Sequence, residues 1–230
     1  MGPLIPVAVV VASLTVTADT RPVVVSVNKP RGTLYWGGAG LDGGYVQPQL
    51  HAFVKAGIQH CYVGKTNSAS QSLGAALGTL FDAARAGASV RYEDDGEWKL
   101  AGMNNPSGQF NLVGYSYGSL LAAQTANFYA RHGHIVDHLV LVGSPIDTDF
   151  LKSLRANRNI KKVVVINLAE YGDPIYAGIS QSELIGAAAT LADQMSNGKG
   201  EGHFYFAHVV ADSPRRWATL ARRLYEEGLR

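Results

Sequence analysis

The stretch "NLVGYSYGSLLAAQ", residues 111–124, runs from an apolar segment into a G-x-S-x-G pentad and out again into leucine and alanine. Phe110, Leu112 and Val113 ahead of the pentad suit a buried strand, and Leu120, Leu121, Ala122 and Ala123 after it suit a helix. Gly114 and Gly118 stand two positions either side of Ser116. A chain that turns from strand to helix in one tight step presses those two positions against neighbouring backbone, where only a residue without a side chain fits. The same turn lifts a hydroxyl clear of the sheet at a helix N-terminus, which favours developing negative charge. Ser116 is therefore the candidate nucleophile.

Outward from the pentad the strand–helix pairing repeats. "HLVLVG" precedes "TDFLKSLRANR", and "KKVVVINLA" precedes "QSELIGAAATLADQM". "SPRRWATLARRLYEEGL" reads as a last helix, with Ser213 as N-cap and Pro214 at its first position. Upstream, "VQPQLHAFVKAG" reads as a helix closed by Gly57, "IQHCYV" as a strand, and Leu73, Leu77, Leu80, Phe81 and Ala84 as a helical stripe. "VRYEDDGEWKL" suits a small hairpin around Asp95-Gly96. Two N-terminal runs, 4–16 and 22–27, read as strands of a hairpin that leads into a third strand at "TLYWGGAG". "VVVIN" and "LVLVG" are continuous apolar runs, as strands buried on both faces require. The expectation is an α/β fold over residues 1–230, read as one domain with no large cap: a central, mostly parallel sheet, an N-terminal antiparallel hairpin and helices on both faces.

Composition narrows the function. The 230 residues carry a net charge of +2 with 17% charged side chains, which argues against a nucleic-acid partner. The basic clusters "RANRNIKK" and "RRWATLARR" read as solvated helix faces. Cys61 stands alone, so neither a disulfide framework nor a zinc ribbon is expected. It lies next to His60 on an expected strand, and the two would point to opposite faces. Leu4–Val16 is too short to span a bilayer, and no Lys or Arg precedes it to make a signal peptide. The compartment is left open between the cytoplasm and export by a non-classical route. "RHGHIVDH" spaces His132, His134 and His138 without a Cys or acidic ligand to complete a set, and reads as histidines at a helix end; no metal is expected.

The strand–pentad–helix order resembles the α/β-hydrolase superfamily, and the resemblance extends over nearly the whole chain. It implies a catalytic triad in the chain order serine, acid, histidine. On that pattern Asp173, in "INLAEYGDPIYAG", follows the second strand after the pentad, and His203, in "GEGHFYFAH", shortly precedes the last helix. Rivals for the acid are Asp147 in "GSPIDTDF" and Glu170 in the loop of Asp173. The rival base is His208, which would serve if "HFYFA" were itself a strand. The implied oxyanion donors are the backbone N–H groups of Tyr117 and of Ala39 in "GGAGLDGG", where Gly37 stands in place of the family's histidine. The implied activity is that of a serine hydrolase on carboxylic esters, of the lipase, esterase or phospholipase type. Its substrate would be a small ester or a lipid at a membrane surface, and it would need no cofactor. A thioesterase is the alternative on the same fold.

Two further features point elsewhere. Tyr35, Trp36, Tyr45, Tyr115 and Tyr117 either surround a pocket for an apolar acyl chain or are core aromatics. Gly38-x-Gly40-x-x-Gly43 satisfies the dinucleotide fingerprint G-x-G-x-x-G, an alternative of a different class. Against it, its strand is third in the chain, and "CYVGKT", about twenty residues on, offers no carboxylate for a ribose.

Overall fold

The computed structural model describes residues 31–38, 43–64 and 108–230. The expected N-terminal hairpin, the stripe from Leu73 to Ala84 and the hairpin around Asp95-Gly96 lie outside the described residues. Five strands are described: β1 (Gly32–Trp36), β2 (Cys61–Val63), β3 (Phe110–Tyr115), β4 (Val136–Val142) and β5 (Ile160–Ile166). They form one sheet in the order β2-β1-β3-β4-β5, with every pairing parallel.

A parallel sheet has to be covered on both sides, and alternation along the strands shows how. Leu34, Trp36, Leu112, Leu139 and Leu141 face helices α2 (Tyr117–Arg131) and α3 (Thr148–Ala156). Tyr35, Val113, Tyr115, Val140, Val142, Val164 and Ile166 face α1 (Val46–Lys55) and α5 (Ser213–Glu226) through Leu50, Phe53, Trp217 and Leu224. A smaller cluster packs Leu184, Ala187, Ala188 and Leu191 of α4 (Gln181–Asn197) on Ile175 and Ile179, in the loop that follows β5. The parallel α/β sandwich expected from the sequence is what the described residues form. Among them, no helix is long and apolar enough to cross a membrane.

The helix boundaries have local causes. Asp147 caps α3, its carboxylate accepting the N–H groups of Asp149 at 3.0 Å and Phe150 at 2.9 Å. Ser180 and Glu183 close a capping box at α4. Helix α1 ends at Ala56, and Gly57 follows with φ 100°, the left-handed position expected of it. Two details differ from expectation, and the strand reading that would have favoured His208 falls away. The N-cap of α5 is Asp212, with Ser213 already helical; the Ser213 hydroxyl instead takes the Val210 N–H at 2.9 Å and donates to the His208 carbonyl at 3.1 Å. Strand β2 covers only Cys61–Val63, because His60 turns the chain with φ 54°. "HFYFA" is not a strand: Gly202–Phe204 is a 3-10 turn.

The strand order positions the site. The chain leaves β1 for β2 on one flank and returns to β3 on the other, so the order reverses between β1 and β3. In open α/β sheets the crevice at the carboxyl ends of such a pair is where ligands bind. Ser116 follows β3 directly and Gly37 follows β1. Ser116 has φ 54° and ψ −124°, a conformation that non-glycine residues rarely adopt. It is held there by backbone contact on both sides. A Cβ on Gly114 would overlap the Gly118 carbonyl and Ser119 Cα, and one on Gly118 would overlap the Gly37 carbonyl and lie 2.6 Å from that of Trp36.

Gly118→Ala should therefore lower the unfolding free energy by more than about 3 kcal/mol in urea titration, since both obstacles are rigid backbone. Gly186→Ala is the control: a Cβ there meets nothing within 4 Å, and it should be neutral or stabilise by up to about 1 kcal/mol.

Candidate active site

Three loops meet at the carboxyl edge of the sheet. Ser116 sits in the turn from β3 to α2; Asp173 follows β5 and a 3-10 turn at Ala169–Tyr171; His203 lies in the turn Gly202–Phe204. The structure brings all three together. Ser116 Oγ is 2.6 Å from His203 Nε2, and His203 Nδ1 is 2.9 Å from Asp173 Oδ2. The carboxylate only accepts, so Nδ1 carries the proton and Nε2 presents its lone pair to the serine hydroxyl. Asp173 Oδ1 takes the Ile175 N–H at 2.8 Å, which fixes the carboxylate's rotation.

Asp173 and His203 are buried, whereas Ser116 is half-exposed. Burial excludes water from the acid–imidazole bond and strengthens it, while the hydroxyl stays within reach of solvent. Room for the pair comes from Gly143, which ends β4 with φ 52°; a Cβ there would stand 3.3 Å from Asp173 Oδ2 and 3.6 Å from His203 Cε1. Tyr115 donates its hydroxyl to the His203 carbonyl, and its ring stacks on the imidazole with centroids 5.8 Å apart. Ser119 donates to the Ser116 carbonyl, and its Oγ lies 2.6 Å from Ser144 Oγ, whose hydroxyl donates to it. None of Gly143, Tyr115, Ser119 or Ser144 was singled out for such a role in the sequence; of these, only the glycine closing "LVLVG" left a mark there.

The rivals are engaged elsewhere. Asp147 is the cap of α3. Glu170 is exposed on its 3-10 turn. His208 stacks on Phe204, with centroids 5.0 Å apart, and its Nδ1 lies 3.4 Å from the Gly200 N–H. Burial pushes its imidazole below the usual histidine range.

Of the two residues expected at the oxyanion, Tyr117 is the first residue of α2, beside Ser116, and Ala39 lies outside the described residues. The Gly38 N–H donates to the Tyr45 hydroxyl at 2.6 Å. That tyrosine also accounts for the glycines of the dinucleotide-like stretch: a Cβ on Gly43 would overlap its ring, and one on Gly37 or Gly38 would crowd its hydroxyl. The described glycines of that stretch admit a side chain of this protein. The five aromatics are core residues, with Trp36 and Tyr117 on the α2 face and Tyr35, Tyr45 and Tyr115 on the α1 face.

The histidines of "RHGHIVDH" scatter. His132 donates to the Phe128 carbonyl at 2.8 Å, His134 meets the Tyr129 ring, and His138 donates to Asn111 Oδ1 at 2.8 Å. Among the described residues no group of three or more His, Cys, Asp or Glu side chains is placed to hold a metal ion. Burial pushes the Cys61 thiol up to about 12, far from the thiolate a cysteine nucleophile needs.

A hydroxyl bonded to a neutral imidazole, itself bonded to a buried carboxylate, can be deprotonated as it attacks an electrophile. Against that geometry stands the comparison with known proteins: residues 75–159, which include the elbow, match a family model described as alpha/beta hydrolase. The match supports the α/β-hydrolase superfamily. It covers β3, α2, β4 and α3, and the five-stranded parallel sheet with its surrounding helices agrees with that fold. Neither the curated proteins nor the solved structures gave a significant match. The family match supports a hydrolase of that fold.

Asp147→Ala should cost about 1 kcal/mol of stability through the lost cap, read in urea, and should leave fluorophosphonate labelling of the protein unchanged. A loss of labelling in folded Asp147→Ala would move the acid to that loop.

Proposed function

We propose that this chain cleaves carboxylic esters as a serine hydrolase, with Ser116 as nucleophile, His203 as general base and Asp173 as the acid that orients the imidazole. The observation that carries the reading is the unbroken relay from Ser116 Oγ to His203 Nε2 at 2.6 Å and from His203 Nδ1 to Asp173 Oδ2 at 2.9 Å. Ser116 Oγ attacks the acyl carbon as Nε2 takes its proton. The imidazolium, facing the Asp173 carboxylate, then returns that proton to the leaving alkoxide oxygen, and the acyl group stays on Ser116. Water attacks the acyl-serine with Nε2 again as base, releasing the carboxylic acid and restoring the serine.

The tetrahedral oxyanion forms over the start of α2, a helix of 15 residues whose N-terminal dipole favours negative charge. The Tyr117 backbone N–H is one donor and that of Ala39 the other, as the family pattern implies. Every step uses groups of the chain, so the scheme draws on no cofactor.

The loops around the relay expose apolar side chains. Tyr176 follows Asp173 in its loop, Val209 lies beyond His203, and Ile185 lies on α4; their exposures are 37%, 66% and 54%. Exposed apolar residues on the chain between and just beyond the acid and the base suit an ester with an apolar acyl chain, including a lipid presented at a membrane surface. This supports the lipase, esterase or phospholipase type.

A screen across p-nitrophenyl esters, acyl thioesters and phospholipids should find its highest kcat/KM on an oxygen ester, undiminished by EDTA. A preference for thioesters would reassign the enzyme on the same relay. Ser116→Ala should fold normally, lose about four powers of ten or more in kcat and no longer react with a fluorophosphonate. Labelling that persists in Ser116→Ala would end the assignment. Asp173→Asn should keep the shape but favour the wrong tautomer, lowering kcat by about three to four powers of ten.

A further inference from the structure

Gln194 lies on α4 with only 7% of its surface exposed, between the loop of Asp173 and the turn of His203. Its Nε2 donates to the Gly172 carbonyl at 2.9 Å, and its Oε1 accepts the His203 N–H at 2.9 Å. One bond thus holds the residue before the acid, and the other holds the backbone of the base. A carbonyl can only accept and an amide N–H can only donate, so the two partners fix which end of the side chain is which. Glutamine offers one donor and one acceptor from a single planar group at this reach. The turn is shaped to receive it: Gly202 has φ 54°, and a Cβ there would overlap the Gln194 amide.

We infer that Gln194 is a positioning residue that clamps the acid loop and the base turn at a fixed separation. The inference rests on the Ser116–His203–Asp173 reading. The clamp has a chemical use. The imidazole alternates between neutral and charged forms in each half-reaction, and its bond to Asp173 has to survive both. The Asp173 loop and the His203 turn lie outside the sheet, so sheet hydrogen bonds do not hold them. Removing the amide leaves a buried carbonyl and a buried N–H unsatisfied, and the two segments relax apart to find other partners. A displacement of about 1 Å at a reacting group costs on the order of a hundredfold in rate. Gln194 bonds to backbone on both sides and to neither the hydroxyl nor the imidazole, so its loss falls on kcat and spares KM.

The test is Gln194→Met, close in length and volume and without hydrogen bonds, with Gln194→Glu as the second variant, which keeps the acceptor for His203 and loses the donor to Gly172. The full chain is assayed on the best ester, with fluorophosphonate labelling and the downfield proton resonance of the His203–Asp173 bond as further readouts. The expected result for Gln194→Met is kcat lower by about 10- to 100-fold, KM within twofold, and a broadened or lost downfield proton. If Gln194→Met does not fold, the same readings on Gln194→Glu decide. Unchanged kcat and an unchanged downfield proton, even with a lower melting temperature, would overturn the inference and leave Gln194 a packing residue. A raised KM at unchanged kcat would overturn it too, in favour of a substrate contact. Parent protein that is not labelled at Ser116 would instead bring down the proposed function, and the inference with it.

Discussion

Where α2 begins, backbone packs on backbone so tightly that a Cβ on Gly118 would overlap the Gly37 and Trp36 carbonyls, and one on Gly114 the Gly118 carbonyl and Ser119 Cα. That contact is possible only because β1 and β3 are neighbours and both are buried along their length. It forces Ser116 into a left-handed conformation, at a cost of about 1–3 kcal/mol for a non-glycine residue. Packing on both faces of the two central strands offsets the cost. The serine is thereby fixed by the sheet itself, with its hydroxyl at a helix N-terminus and its N–H bonded to the Val142 carbonyl at 2.8 Å.

The acid and base are held by different means. Neither lies on a strand, and the hydrogen bonds that place them come from side chains reaching across the sequence: Tyr115 to the His203 carbonyl, Gln194 to both segments, and Arg216 to the Tyr205 carbonyl at 3.0 Å. The Arg216 guanidinium also lies 4.1 Å from the Tyr205 ring, which stacks on Tyr171 at 3.6 Å. Tyr171 belongs to the acid loop and Tyr205 follows the base turn, so the stack adds a second tie between them. Burying a carboxylate beside an imidazole is costly unless their hydrogen-bonding capacity is met. Here both Asp173 oxygens and both ring nitrogens of His203 have partners.

These two kinds of support explain what the sequence disclosed. Strands β4 and β5 were legible because burial on both faces leaves an apolar run, and the elbow because its steric demand falls on two fixed positions. The shortening of β2 was hidden, since the left-handed turn at His60 has no glycine to announce it. The shift of the α5 cap from Ser213 to Asp212 was equally silent, because the serine hydroxyl found partners in the preceding loop. His203 and His208 could not be separated by pattern alone: the distinction depends on a 3-10 turn at Gly202–Phe204, and "HFYFA" carries a strand's composition. The stretch Gly38–Gly43 kept a dinucleotide alternative open for a physical reason, as glycines that admit a tyrosine, as the described Gly38 and Gly43 do, look the same as glycines that admit a phosphate. Gln194 left no signal, because its partners are backbone groups 22 and 9 residues away, and backbone has no identity in a sequence.

The division between sheet-held nucleophile and side-chain-held acid and base has a consequence for how the site can move. Gln194 and the Tyr171–Tyr205 stack tie the acid loop to the base turn, so those segments shift as one body more readily than they part. Ser116 does not shift with them, because its conformation is set by backbone contacts beneath it. Tyr115 of β3, through the His203 carbonyl, ties the base turn to the strand that carries Ser116, while Gln194 and the Tyr171–Tyr205 stack tie that turn to the acid loop. The proposed mechanism uses both ties. The imidazole has to swing slightly between the serine oxygen and the leaving group in each half-reaction, whereas the carboxylate has to stay with the imidazole as its charge changes. The exposed Tyr176 and Val209 lie on the segments that follow the acid and the base, and Ile185 on α4, rather than on the sheet. On the proposed function, an apolar acyl chain or a lipid surface settling on them would press on the segments that hold the acid and the base.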